Sequence, residues 1–184
     1  MRVIAGTARR LILKTPSGDN TRPTSDKIKE TLFNILQFDI PEATFLDVFS
    51  GSGGIGIEAL SRGAKKAVFV ERDREALKCI NYNISHTHFE DKAKVYSMDA
   101  LRAVKELKRT DETFDIVFMD PPYKSGSEFQ VLAELHDSSL INEDSMIIVE
   151  AAYETELTGY EELGYKVNKV KNYKTNKHIF LKKV

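Results

Sequence analysis

The sequence predicts an α/β domain: a doubly wound, mostly parallel sheet of seven strands, closed by a C-terminal antiparallel hairpin and preceded by an N-terminal β-hairpin extension. Three observations carry this. From residue 44 onward short apolar runs alternate with segments of helical spacing, the pattern of buried parallel strands joined by crossover helices. A glycine cluster, Gly51-Ser52-Gly53-Gly54-Ile55-Gly56, follows the first of those runs. Near the end, Lys166-Val167-Asn168-Lys169-Val170 and His178-Ile179-Phe180-Leu181 flank a polar turn and read as two antiparallel strands.

Taken in order, Val3-Ile4-Ala5 and Leu11-Ile12-Leu13 are two short strands joined by the basic turn Gly6 to Arg10. Pro23-Thr24-Ser25-Asp26 starts a helix whose apolar face is Ile28, Leu32, Ile35 and Leu36, ending near Asp39 before Pro41. Strands are expected at 44–50, 66–71, 93–98, 114–120 and 145–150. Helices are expected at 54–62, 73–86, 99–108 and 126–137. No linker or repeat divides the chain, so its 184 residues form one domain: an extension (1–22), a leading helix (23–40) and a catalytic core (44–184).

Net charge is −1, but the charges are segregated. Residues 1–18 carry Arg2, Arg9, Arg10 and Lys14 and no acid; residues 124–163 hold ten acids against Lys124 alone; residues 166–184 hold seven lysines and no acid. Basic ends suit contact with phosphates, which dominate nucleic-acid affinity, although lysines that merely solvate surface strands give the same pattern. The single Cys79 excludes an internal disulfide, and no basic start with a sustained apolar segment indicates secretion or a membrane span. A cytoplasmic monomer without membrane attachment is expected.

The run Phe45-Leu46-Asp47-Val48-Phe49-Ser50, the glycines and Ile57-Glu58-Ala59-Leu60 read as strand, tight turn and helix. Gly51, Gly53 and Gly56 have the G-x-G-x-x-G spacing, and Glu71 lies 20 residues beyond Gly51 at a strand end, where an acid can bind ribose hydroxyls. That much fits a dinucleotide equally well. Asp47 favours a ligand with a cationic end, such as the methionyl end of S-adenosylmethionine, over a pyrophosphate. Asp99, after Met98, can accept from an adenine amino group while Met98 packs on the ring; its alternative role is the N-cap of the helix it opens. Ser50 and Arg72, neighbours of Gly51 and Glu71, complete the candidate cofactor-binding set.

Asp120-Pro121-Pro122-Tyr123 ends the apolar run before it. Two prolines stiffen the backbone so that the Asp120 carboxylate and the Pro121 carbonyl can aim at one target. A base amino group offers two N–H donors, and these are two acceptors. Tyr123 supplies a ring on which a base stacks. Asp-Pro also begins ordinary turns, but ligands of doubly wound folds sit at carboxyl ends of strands, where all these motifs fall.

With Arg2-Val3-Ile4-Ala5-Gly6, Arg22-Pro23-Thr24-Ser25-Asp26, Glu30-Thr31-Leu32-Phe33-Asn34, Asp47 to Gly53, Glu58 to Ala64 and Asp120 to Tyr123, the chain resembles the bacterial 16S ribosomal RNA (guanine-N2)-methyltransferases of the RsmD type along nearly its whole length. The resemblance implies a Rossmann-like, class I S-adenosylmethionine-dependent methyltransferase fold and S-adenosylmethionine as donor. It also implies a guanine of 16S rRNA, in RNA or an assembling small subunit, as acceptor. Arg2, Arg9, Arg10, Arg22 and Thr24 would then meet RNA. Adenine-N6 or protein-glutamine methylation, and an inactive rRNA-binding assembly factor, are the competing readings. His86 and His88 lack a ligand cluster at metal spacing, so no metal is expected; Cys79 reads as a packed thiol. Lys177 and His178 either face RNA or belong to a solvated strand.

Overall fold

The computed structural model describes residues 1–16, 25–122 and 126–184. Five strands run parallel: β1 (Thr44–Val48), β2 (Lys66–Glu71), β3 (Ala93–Ser97), β4 (Ile116–Met119) and β5 (Met146–Ala152). The hairpin β6 (Tyr165–Asn172) and β7 (Asn176–Lys183) closes the sheet, with β7 antiparallel to β5. The strand order is β3-β2-β1-β4-β5-β7-β6, so the winding reverses between β1 and β4. That reversal opens a crevice at the carboxyl ends of those two strands.

Strand alternation sorts the side chains between two cores. Phe45, Phe69, Phe118, Ile148 and Phe180 pack against α1 (Asp26–Ile35), α2 (Gly54–Ser61) and α3 (Arg74–His86). Leu46, Val48, Val117, Met119 and Val149 pack against α4 (Ala100–Leu107) and α5 (Ser127–His136). Both faces of the central strands are therefore covered, which is why they appear in the sequence as unbroken apolar runs. Among the described residues, no helix is long and apolar enough to cross a membrane.

Two elements differ from expectation in length. Helix α1 starts as expected, Ser25 Oγ capping the Ile28 amide at 3.3 Å, but it ends at Ile35 rather than near Asp39. The Asp39 and Ile40 amides both turn back to the Leu36 carbonyl; Leu36 and Ile40 stay buried, so the apolar spacing outlasts the helix. The N-terminal hairpin makes the turn without building strands. Val3 N–H meets the Leu11 carbonyl at 2.9 Å and Leu13 N–H the Met1 carbonyl at 3.0 Å, with one isolated bridge, Arg2 to Ile12.

The extension is held by α2 instead. Glu58, 0% exposed, accepts the amides of Ile4 (2.8 Å) and Ala5 (3.0 Å), the Arg62 guanidinium (2.8 Å) and the Lys29 ammonium (3.2 Å). Lys29 Nζ, also buried, donates onward to the Arg2 carbonyl at 2.6 Å. Burial pushes the Lys29 ammonium below its ordinary range, and Glu58 opposes that shift.

Candidate active site

The loop after β1 turns by left-handed residues at Phe49 (φ 60), Gly51 (φ 54) and Gly53 (φ 77). It is tied to the tip of β2. Ser50 Oγ donates to the Asp47 carbonyl at 2.6 Å and accepts the Val70 amide at 3.0 Å. Glu71 takes the Gly51 amide on Oε2 (2.8 Å) and the Arg72 and Asp73 amides on Oε1 (2.8 Å each). Asn83 of α3, fully buried, secures the loop from the other side: its Nδ2 donates to the Ser52 carbonyl at 2.9 Å and its amide pairs with both backbone groups of Lys14. Nothing in the helical spacing singles out Asn83, a polar residue inside an amphipathic helix.

The glycines divide by function. A Cβ at Gly51 would meet nothing within 4 Å, so the loop presents an open face there. A Cβ at Gly56 would stand 2.4 Å from the Phe69 ring; that glycine lets α2 lie close against β2 rather than admitting a ligand. Asp47 is likewise turned inward. It is 1% exposed and accepts the Gly56 amide on Oδ2 at 2.9 Å, so it supports the loop from beneath rather than facing a ligand directly. Burial, with Glu71 adding to it, pushes its carboxyl up to about 8 against the pull of the Gly56 amide.

Farther along the crevice, Asp99 is the N-cap of α4, its Oδ1 accepting the Leu101 amide at 3.0 Å. Its other oxygen stands 3.7 Å from the exposed Arg72 guanidinium, and Met98 is half-buried beside it. Capping and ligand contact are compatible, since each uses a different oxygen.

Asp120 follows β4 directly, its amide 3.4 Å from the Val48 carbonyl at the end of β1. It therefore lies beside the glycine loop across the crevice. Its carboxyl is raised well above the carboxylate range, first by burial and then by the charges of Glu150 and Asp47. Pro121 is buried and Pro122 exposed; Tyr123 lies outside the described residues. Arg22 and Thr24 do too. Arg9 and Arg10 are exposed at the extension's turn, Arg10 with a left-handed φ of 75, whereas Arg2 is paired with Asp26 at 2.9 Å. His178 is 0% and Lys177 9% exposed, so neither is a solvated or RNA-facing residue. A separate cavity of about 250 Å³ opens at the opposite end of the sheet among Asp39, Glu42, Asp115 and Asp144; its acidic rim is unsuited to phosphates.

The family described as Conserved hypothetical protein 95 matches residues 1–181. The chain belongs to that family. The Escherichia coli protein named Ribosomal RNA small subunit methyltransferase D is 35% identical over 157 residues, covering 85% of this chain and 77% of that one. YlbH of Bacillus subtilis is 39% identical over 85% of each chain. Among solved structures, the Thermus hypothetical protein TTHA0928 superposes with a TM-score of 0.82 at 29% identity, over 100% of this chain and 99% of that one. The fold is that of S-adenosylmethionine-dependent methyltransferases; SMU.776, solved with S-adenosylhomocysteine, shares it at TM-score 0.66 and 16% identity, over 85% of this chain and 48% of that one.

Proposed function

We propose that this member of the family is an S-adenosylmethionine-dependent methyltransferase that modifies the exocyclic N2 of a guanine in 16S rRNA. The observation that carries the reading is the placement of Asp120. A half-buried acceptor of raised proton affinity follows β4 beside the open, glycine-lined turn that ends β1.

The residues present suit the donor. When bound, S-adenosylmethionine supplies an electrophilic methyl group on a sulfonium. Gly51 leaves space over the loop, and Glu71 keeps a lone pair on Oε2 for a ribose hydroxyl after its three amide bonds. Asp99 keeps its second oxygen for an adenine amine, with Met98 beside the ring.

On the acceptor side, an aryl amine is a weak nucleophile because its lone pair is delocalised into the ring. Asp120 and the Pro121 carbonyl would accept its two N–H groups, turning the lone pair out of the ring plane and holding it in line. Asp120 then takes the proton that nitrogen loses, and Tyr123 would stack on the base. Arg9 and Arg10, with Arg22 and Thr24, would engage RNA phosphates. The exposed lysines of β6, Lys166 and Lys169, add positive charge on the edge strand of the sheet.

The test is nucleoside analysis of 16S rRNA from small subunits of cells lacking the protein, after incubation with the purified chain and labelled S-adenosylmethionine. N2-methylguanosine is expected. N6-methyladenosine, or label in protein, would replace the acceptor assignment; no label in any fraction would leave an RNA-binding protein without catalysis.

A further inference from the structure

Strands β4 and β5 pair with Met119 opposite Val149, which brings the next residues, Asp120 and Glu150, side by side. Glu150 pairs with His178 of β7, and His178 with Lys171 of β6. A single row, Asp120, Glu150, His178, Lys171, thus crosses four strands on the face that carries Asp47 and Phe118.

Glu150 is 5% and His178 0% exposed. Both Glu150 oxygens are occupied: Oε1 accepts from Asn176 Nδ2 at 2.5 Å, and Oε2 lies 3.0 Å from His178 Nε2. Facing a carboxylate, Nε2 is the donor of that pair. Behind it the Tyr173 hydroxyl meets His178 Nδ1 at 3.1 Å. The imidazole is fixed edge-on against Phe118 (5.8 Å, 88°) and Tyr173 (4.9 Å, 74°). Burying a carboxylate costs several kcal/mol unless it is held this way. Sheet packing does not demand it, since the neighbouring β5–β7 pair on the same face, Ile148 and Phe180, is apolar.

We propose that Glu150 is a positioning residue for methyl transfer, clamped by His178 and Asn176 so that its charge stands beside Asp120 and strengthens Asp120 as acceptor of the amine's proton. This rests on the reading above. In the transfer step the nitrogen lone pair forms the C–N bond while the C–S bond breaks and its electron pair remains on sulfur. Nitrogen is left with one proton too many, which passes to the Asp120 carboxylate and from there to solvent. Among the described residues, the titratable groups facing Asp120 are Asp47 from β1 and Glu150 from β5, with His178 of β7 and Tyr173 behind Glu150. Both facing carboxylates oppose its ionisation, and Glu150 is the one that the clamp holds in place.

The experiment is the pH profile of kcat for transfer to small subunits from cells lacking the protein, with S-adenosylmethionine affinity measured alongside. Glu150→Gln keeps the shape and removes the charge; the acid limb should move down by roughly one pH unit, with cofactor affinity unchanged. Glu150→Asp should restore the limb. Tyr173→Phe removes the hydroxyl behind His178, loosens the clamp on Glu150 and should displace the limb by a few tenths of a unit. It stands as the test if Glu150→Gln does not fold. A limb that superimposes on the wild type in folded Glu150→Gln, or in Tyr173→Phe if Glu150→Gln does not fold, overturns the proposal. A wild-type protein that transfers no methyl group overturns the underlying reading instead.

Discussion

The Asp47 carboxylate holds the Gly56 amide at 2.9 Å from beneath the glycine loop, in a position almost without solvent. Its carboxyl is raised to about 8 from an ordinary value near 3.8. Between those values the folded chain keeps a proton that the unfolded chain releases, so stability falls as pH rises through that window. Asp47→Asn retains an oxygen for Gly56 and cannot ionise. The variant should lose this part of the pH dependence, up to about 1.4 kcal/mol per pH unit, and melt above the wild type at pH 8. Melting curves at pH 5 and pH 8 that fall in parallel for both proteins would refute it.

Asp120→Ala removes the acceptor and should lower methyl transfer by about 100-fold or more. Binding of S-adenosylmethionine, measured by calorimetry, should change only a few-fold, since the loop and Glu71 are untouched. A variant that keeps most of its turnover would remove Asp120 from the chemistry.

Glu58→Ala strips a buried ammonium and two backbone amides of their acceptor. The expected loss of stability is about 3–5 kcal/mol, read by denaturant unfolding. Proteolysis should cut the extension first, since Ile4 and Ala5 are anchored through this carboxylate. A loss below about 1 kcal/mol would mean that the buried cluster behaves like a surface ion pair.

Arg9→Gln with Arg10→Gln should weaken binding to rRNA and flatten its salt dependence, each lost phosphate contact lowering the slope of log K against log salt by about 0.7 to 0.9. Binding measured across a salt series checks this. An unchanged slope would clear the extension's turn of contact with RNA.

The parallel strands were legible because both of their faces are buried, as in Ile116-Val117-Phe118-Met119, where an apolar run can only be an inner strand. The glycine loop and Asp120 were legible as spacing and strand-end position. The Asp47 orientation was not, because alternation gives the face of the sheet but not whether a carboxylate points at a ligand or up into its own loop. Glu150 and His178 escaped for another reason: they are 28 residues apart, and only the β5–β7 register makes them neighbours. A histidine among the lysines of the last strand carries no sign of being wholly buried. Nor did Lys29 stand out, since a lysine in an amphipathic helix is ordinarily solvated.

The Lys29–Glu58 contact makes the first residues part of the interior. An arm trimmed at its start would leave the Glu58 anion missing two donors and the Lys29 cation missing its carbonyl. Truncation is therefore a structural change to the whole body, not the removal of an accessory. A shortened relative would tolerate it by exchanging positions 29 and 58 together for hydrocarbon side chains.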